Sequence, residues 1–388
     1  MNRFTIPRDI YYGHGALEIL KTLEGKRAVL VIGGGSVKAS GKLAQIESML
    51  AEAGIETRVI EGIISEPTVA MVMEGVKALN EFQPDWVIGI GGGSPMDAAK
   101  AMWVFYEHPQ LTFEEASRPF TMPKLRTKAK FIGIPTTSGS ASEISNLSVV
   151  IDEKTGVKYP LADFELTPDL AIIDPSMVES MPKQITAYTG MDALTHGIES
   201  YVAKPRTLLT DALAIESVEL VKQHLLHSYE GNPQSREAMH IAQGMAGMAF
   251  ANAVLGNVHS LSHKSGPIFD IPHGCANAIY LPYVIQFNRT VVADRYAAIA
   301  KRIGLNGQST DELVDALVAW VRELNRNMGI PSTLKEYGVS EELFNAHMDS
   351  MAANAVKDPC TGTNPRETSV EEMKKLYIAA FKGEDVTF

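Results

Sequence analysis

Four side chains in this sequence have the types and spacing to surround one divalent cation: Asp192 and His196, four residues apart, together with His259 and His273. On a helix, positions i and i+4 share a face with Cβ atoms roughly 6 Å apart, near enough to hold a common ion. Three imidazole nitrogens and one carboxylate oxygen suit a borderline first-row metal, because thiolates select softer ions and an all-oxygen set selects magnesium or calcium. Each residue also has a plainer explanation. Asp192 stands three after Thr189, the spacing of a capping box if Thr189 opens the helix, and for Asp192 alone capping is the stronger expectation. A lone histidine is most often a hydrogen-bonded interior residue. The company these residues keep shifts the balance. His263 follows His259 by four, and His273 comes soon after in Ile271-Pro272-His273-Gly274.

The elements that must position these groups divide the chain in two. In the first half, short apolar runs at 28–32, 57–61, 86–90, 131–134, 149–152 and 170–174 alternate with helical patterns such as 41–53 and 69–81. That alternation predicts a mainly parallel sheet with flanking helices. After Pro182 no strand signal recurs, and runs at 209–227, 235–252, 310–328 and 369–381 predict helices. The expected domains are therefore 1–182, α/β, and 183–388, all-helical. The length of 388 residues and the 45% apolar content suffice for two cores. Every candidate metal ligand lies in the helical half and the glycine-rich loops in the other, so the chemistry is expected in a cleft between them.

Composition excludes several functions. A net charge of −11, with no run of Lys and Arg, argues against a nucleic-acid groove or an acidic membrane surface. Cys275 and Cys360 are far apart, which disfavours a disulfide framework and a thiolate metal site. No segment approaches the ~20 apolar residues that span a bilayer, and the first residues lack a signal-peptide pattern. A cytoplasmic, small-molecule enzyme is the expectation.

Two glycine runs follow predicted strands: Gly33-Gly34-Gly35-Ser36, and Gly91-Gly92-Gly93-Ser94-Pro95-Met96-Asp97. Where a strand turns into a helix, residues without side chains let backbone N–H groups approach a phosphate, and the helix N-terminus adds partial positive charge. Neither run carries the full dinucleotide fingerprint or a P-loop ending. Pro95 fits the first helical turn, and Asp97 is a candidate cap. A third loop, Pro135-Thr136-Thr137-Ser138-Gly139-Ser140-Ala141-Ser142-Glu143, offers hydroxyls suited to ribose or phosphate, and equally to ordinary caps and turns.

Taken together, the run Gly91–Lys100, the 135–143 loop, Thr189-Gly190-Met191-Asp192-Ala193-Leu194-Thr195-His196, the histidines around Pro272-His273-Gly274, and Cys360-Thr361-Gly362-Thr363-Asn364-Pro365-Arg366 resemble the iron-containing alcohol dehydrogenases, in the right order and nearly end to end. The resemblance implies a dehydroquinate synthase-like architecture, with an N-terminal dinucleotide-binding domain and an all-helical metal-binding domain. It also implies reversible oxidation of alcohols to aldehydes or ketones. Asp192, His196, His259 and His273 would then hold the metal, Fe2+ by resemblance, although the same donors accept Zn2+. Gly92, Gly93 and Ser94 would bind the pyrophosphate, Thr136, Thr137 and Ser140 the nicotinamide-side phosphate and ribose, and Lys158 a ribose. His263 would lie near the nicotinamide as a nonligand and is a candidate proton relay; a packing role beside His259 is equally open. Leu147 and Phe250 are candidate walls of the alcohol pocket, or plain core residues.

Two readings of cofactor choice compete. In an ordinary dinucleotide fold the acidic residue ending the second strand, here Glu61, binds the ribose 2′-hydroxyl and selects NAD. In the family, NAD-preferring members often carry an aspartate in the loop after the first strand, whereas this chain has Gly34, Gly35, Ser36 and Lys38 there. Without a carboxylate to repel a 2′-phosphate, NADP(H) is expected over NAD(H). A primary alcohol or aldehyde is the expected substrate, in a homodimer or larger homo-oligomer. The rival readings are a glycerol dehydrogenase-like zinc enzyme, a dehydroquinate synthase-like lyase, disfavoured by the scarcity of basic residues near the ligands beyond Lys264, and a nucleotide-binding scaffold whose histidines are structural.

Overall fold

Apolar residues of the first half sort by parity onto the two faces of one sheet. Val29, Val31, Val87 and Phe131 join one core, whereas Ala28, Leu30, Ile32, Ile88, Ile90, Ile132 and Ile134 join the other. Because both faces are covered, these strands read in sequence as nearly continuous apolar runs. The computed structural model describes residues 3–63, 66–154 and 158–388, the side chain of Lys158 excepted. The chain divides into two units, Met1–Met181 and Pro182–Phe388.

In the first unit, strands β1 (Asp9–Tyr12), β2 (Arg27–Ile32), β3 (Glu56–Ile60), β4 (Trp86–Gly91) and β5 (Lys130–Pro135) precede a hairpin of β6 (Leu147–Ile151) and β7 (Lys158–Ala162), and β8 (Leu170–Ile173) closes the unit. The main sheet runs β1-β8-β5-β4-β2-β3 with every pairing parallel. The run expected as a strand at 149–152 does not join this sheet; it lies in β6, which pairs antiparallel with β7. Sequence reading missed β1 and β7. The first is a four-residue edge strand and the second contains Pro160, which lacks the N–H that an interior ladder needs.

Helices α1 (Ser36–Ala39), α2 (Lys42–Glu52), α3 (Val69–Phe82), α4 (Gly93–Glu107) and α5 (Phe113–Ala116) complete the unit. After β2 the chain first moves outward to β3 and then returns to β4 on the other side of β2, so the strand order reverses there. Loops at the carboxyl ends of strands flanking such a reversal are where α/β sheets bind ligands, and both glycine runs emerge at this point.

The second unit is built from helices α6 (Lys183–Val202), α7 (Leu208–Tyr229), α8 (Pro233–Ala253), α9 (Asn257–Phe269), α10 (His273–Arg302), α11 (Thr310–Asn327), α12 (Leu334–Tyr337), α13 (Glu341–Val356), α14 (Pro359–Thr363) and α15 (Val370–Lys382). Side-chain oxygens of Thr207, Asn232, Ser309, Ser340 and Ser369 cap five of these N-termini, as the loss of four backbone partners at a helix start demands. From Gly190 onward α6 is buried almost all round, polar residues included. Its neighbours press on it through glycines. A Cβ at Gly190 would lie 2.1 Å from Leu225 Cδ1, and one at Gly274 would lie 2.1 Å from the Tyr188 carbonyl oxygen.

The second of these contacts sets α10 directly against α6 beside Asp192, whose own Cβ would be 3.3 Å from a methyl group on Gly274. Since the obstacle is backbone, a side chain there requires one helix to move. Gly274→Ala is expected to destabilise the protein by about 1–3 kcal/mol, as overpacking of a close contact does. Urea unfolding at constant m-value reads this directly, and an unchanged midpoint would show that the two helices are not in fixed contact.

Candidate metal centre

Three helices deliver the ligand candidates. Asp192 and His196 lie one turn apart on α6, His259 sits in the first turn of α9, and His273 opens α10. Ligand atoms of Asp192, His196 and His259 all lie within 4.8 Å of one another, and all three residues are buried. Asp192 Oδ1 is 3.7 Å from His196 Nε2, 3.8 Å from His259 Nε2 and 3.6 Å from His273 Nε2. A tetrahedral site with bonds of about 2.1 Å has edges of about 3.4 Å, so the separations from Asp192 are of the size that one small cation requires, with Asp192, His196 and His259 as the mutually close set and His273 beside Asp192. His273 is the solvent-facing member, with its side chain 44% exposed.

The protonation of this cluster also fits a cation. Burial, followed by the fields of His196, His273 and His263, drives the His259 imidazole well below its ordinary pKa, leaving a lone pair. The helix-capping explanation of Asp192 fails on position. Helix α6 starts at Lys183, so Thr189 is interior and its hydroxyl donates to the Ile185 carbonyl at 2.8 Å. Asp192 therefore lies beyond the first turn, where no unpaired N–H is left to cap.

Groups around the ligands hold them in place, and sequence reading missed these groups. Glu199 is buried seven residues after Asp192, on the same face of α6; its Oε2 accepts from His259 Nδ1 at 2.6 Å and its Oε1 from the Val258 N–H at 2.7 Å. Burial pushes the Glu199 carboxyl up to about 8, against the opposing pull of the Val258, Gly256 and His259 amides. Asn277, one turn after His273, turns its Nδ2 toward Asp192 Oδ1 at 2.8 Å, His273 Nε2 at 3.1 Å and His259 Nε2 at 3.2 Å. The Ser262 hydroxyl donates to Asn277 Oδ1 at 2.5 Å. Helical spacing of 3, 4 and 7 residues was the available signal for all three.

His263 stacks on His273, with ring centroids 5.5 Å apart. Its Nδ1 donates to Asp358 Oδ2 at 3.1 Å, and Lys264 Nζ meets the same oxygen at 2.7 Å. Burial works to raise the Asp358 carboxyl, but His263 and Lys264 outweigh it and hold it well below the usual carboxylate range. Phe250 stacks on His196 at 4.4 Å between ring centroids and is 5% exposed, which makes it a wall of the ligand cluster. Leu147 belongs to the first unit, where its carbonyl accepts from Lys100 Nζ at 3.0 Å.

In the first unit the glycine loop and the hydroxyl loop meet. A Cβ at Gly92 would lie 3.3 Å from Thr137 Oγ1, and one at Gly93 would lie 3.5 Å from Ser140 Cβ. The Thr136 N–H donates to the Gly91 carbonyl at 2.9 Å. Gly92 is the N-cap of α4, with Gly93 and Ser94 in its first turn, so the open N-terminus faces those hydroxyls. Asp97 does not cap this helix. It is half-buried and accepts from Ser142 Oγ at 3.2 Å and from the Val149 N–H at 3.1 Å, which ties the hydroxyl loop down. Desolvation raises the Asp97 carboxyl and lowers the Lys100 ammonium, each against the opposing charge of the other. Gly34, Gly35, Ser36 and Lys38 are exposed around α1, and Lys38 pairs with Glu61. Lys158 opens β7, but its side chain lies outside the described residues.

Comparison with known proteins agrees in both units. A family described as iron-containing alcohol dehydrogenase matches residues 7–175, and the C-terminal part of the Fe-containing alcohol dehydrogenase family matches 186–381. The NADPH-dependent butanol dehydrogenase of Clostridium saccharobutylicum is 54% identical over the full length of both chains. An alcohol dehydrogenase of Thermococcus barophilus is 41% identical, covering 98% of this chain and all of its own. Among solved structures, the iron-containing alcohol dehydrogenase of Thermococcus thioreducens superimposes with a TM-score of 0.91 at 38% identity, over 98% of this chain and 100% of that one.

The grouping of Asp192, His196 and His259, with His273 facing Asp192, makes a direct prediction. His273→Ala and Asp192→Asn should each lose bound metal and turnover together, while circular dichroism and nucleotide binding stay close to those of the unsubstituted protein. Elemental analysis after dialysis is the measurement, and full activity in an ion-free variant would refute the ligand assignment.

Proposed function

The chain belongs to the iron-containing alcohol dehydrogenase family, and from that premise we propose that it interconverts a short primary alcohol and its aldehyde with NADP(H), using Asp192, His196, His259 and His273 to hold Fe2+ or, in its place, Zn2+. It is a metal-dependent alcohol dehydrogenase and aldehyde reductase. The finer reading rests above all on the 54% end-to-end identity to a relative named as an NADPH-dependent butanol dehydrogenase.

The loop after β2 supports the same cofactor. Gly33 to Ser36 present no carboxylate to a 2′-phosphate, and Lys38 is half-exposed. Glu61, which a plain dinucleotide reading assigns to the ribose of NAD, is instead engaged by Lys38. Exposed ion pairs of this kind contribute little, so a phosphate arriving beside Ser36 draws the ammonium away at small cost and gains a charge-assisted contact. The open N-terminus of α4, facing Thr137 and Ser140, supplies N–H groups for the pyrophosphate.

When bound, the divalent ion supplies Lewis-acid polarisation of the substrate oxygen and the reduced nicotinamide supplies the hydride. The chain's own residues supply the rest. His263 is partly exposed beside the cluster, and Asp358 takes its Nδ1–H, so Nε2 is the atom that gives a proton to the nascent alkoxide and takes one in the oxidative direction. Phe250 and His196 stack to exclude water from one side of the donors.

Among the described residues no helix is long and apolar enough to cross a membrane. Cys275 and Cys360 are free and buried, in keeping with a reducing cytoplasm. A homodimer or larger homo-oligomer is part of the proposal, and light scattering on the purified protein reads it; a monomer at micromolar concentration would remove it.

Steady-state kinetics with short primary alcohols and aldehydes should show a lower KM for NADPH than for NADH. Lys38→Ala should raise the NADPH KM by about tenfold, the loss of one charge-assisted hydrogen bond, with little change for NADH. A wild-type preference for NADH would overturn the cofactor assignment.

A further inference from the structure

The geometry points to Glu199 as the residue that positions His259 for metal capture, holding its ligating nitrogen bare and aimed at the ion from the N-terminus of α9. This inference rests on the ligand set proposed above.

The orientation of the Asn277 amide settles which nitrogen of His259 is bare. If that amide were reversed, the carbonyl oxygen would lie 2.8 Å from Asp192 Oδ1, oxygen against oxygen, and the NH2 would face the Ser262 hydroxyl; with the orientation observed, Asp192 accepts and Ser262 donates. Nδ2 is therefore a donor. It has no lone pair with which to accept, so a proton on His259 Nε2, 3.2 Å away, would face its hydrogens, and that nitrogen is the bare one. The ring proton of neutral His259 must then sit on Nδ1, 2.6 Å from Glu199 Oε2, and Glu199 must accept it.

The other oxygen of Glu199 is committed as well. Oε1 accepts from the Val258 N–H at 2.7 Å, one of the amides that a helix start leaves without an intrahelical partner. The preceding N–H, that of Asn257, goes to Asn364 Oδ1 at 3.2 Å. Gly256 leaves room for both, since a Cβ there would lie 2.8 Å from Asn364 Oδ1 and 2.9 Å from Glu199 Oε1. Glu199 thus fixes the rotation of the His259 ring and the backbone that carries it with one carboxylate, 3% exposed. No other side chain of similar size does both. A glutamine has one acceptor and one donor, and whichever way it turns, its NH2 meets either the Val258 N–H or the His259 Nδ1–H. An aspartate keeps both acceptors but is one methylene short.

Outer partners that orient metal-bound histidines are worth about 10–100-fold in metal affinity. The test is competition for Co2+ between a chromophoric chelator and the ion-free full-length protein, comparing wild type, Glu199→Gln and His196→Ala, with NADPH affinity as the check that each protein is folded. Glu199→Gln is expected to bind Co2+ about 10–100-fold more weakly with NADPH affinity unchanged. In the ion-free state its 15N-labelled His259 should lose the single Nδ1–H tautomer of the wild type, which a purely structural role would not alter. Should Glu199→Gln fail to fold, Glu199→Asp is read in the same way. Co2+ affinity within twofold of wild type in a folded variant overturns the role of Glu199. If His196→Ala also binds Co2+ as wild type does, the ligand set itself has failed; if His196→Ala loses the ion and the Glu199 variant keeps it, only the role of Glu199 falls.

Discussion

The second unit depends on one demand: lone pairs from three different helices must meet at a buried point with no proton between them. Burial makes this costly, because a polar atom removed from water without a partner forfeits a kcal/mol or more. The fold meets the demand twice over. Backbones are brought close enough by glycine, at Gly274 against Tyr188 and at Gly190 against Leu225, that short side chains span the remaining gap. Two of the donors are then turned by a second hydrogen bond, His259 by Glu199 and Asp192 by Asn277, which Ser262 holds in its turn. The first device fixes where the donors stand and the second fixes which atom faces inward. Neither suffices alone, since an imidazole in the right place with the wrong tautomer presents a proton where a lone pair is needed.

The first unit solves a related problem with buried charge. Lys100 is fully buried in α4, and its ammonium donates to the Ser145 carbonyl at 2.6 Å, the Leu147 carbonyl at 3.0 Å and Ser145 Oγ at 3.3 Å. One turn earlier Asp97 takes the Ser142 hydroxyl and the Val149 N–H. These contacts fasten the segment from Ser142 to Val149 onto the same helix whose N-terminus carries Gly92 and Gly93. The hydroxyls of Thr137 and Ser140 are thereby held against that N-terminus. Replacing Lys100 by an apolar residue would leave the Ser145 and Leu147 carbonyls without this donor, at about 1–3 kcal/mol for each group left buried and unpaired.

Much of this was legible in the sequence, and the boundary of legibility has a physical cause. The parallel strands β2, β4 and β5 announce themselves as unbroken apolar runs because helices or loops cover both faces. Asp192 and His196, spaced four apart, announce a shared helix face. Residues whose meaning lies in a contact across the fold do not announce themselves. Asp358 is 95 residues from the His263 it orients, and Asn364 is 107 residues from the Asn257 amide it caps. The capping-box reading of Asp192 failed because local spacing cannot say where a helix begins when Pro182, seven residues before Thr189, is the true N-cap. Asp97 shows the same limit, since an acidic residue near a helix start looks like a cap until its carboxylate is seen to face a buried loop.

The two units use helix N-termini in opposite senses. At α4 the N-cap is glycine, no side chain caps the first turn and no acidic residue lies in it. At α9 the N-cap is again glycine without a capping side chain of its own, but the chain brings a carboxyl group, that of Glu199, from α6. Similar local sequences, a strand or loop ending in glycine before a helix, thus give an N-terminus without a side-chain cap in one case and an internal anchor in the other. What separates them is whether a buried carboxylate already occupies the amides. At the occupied terminus one carboxyl group serves both the Val258 N–H and the His259 imidazole, so the start of α9 and the rotation of that ring are fixed together.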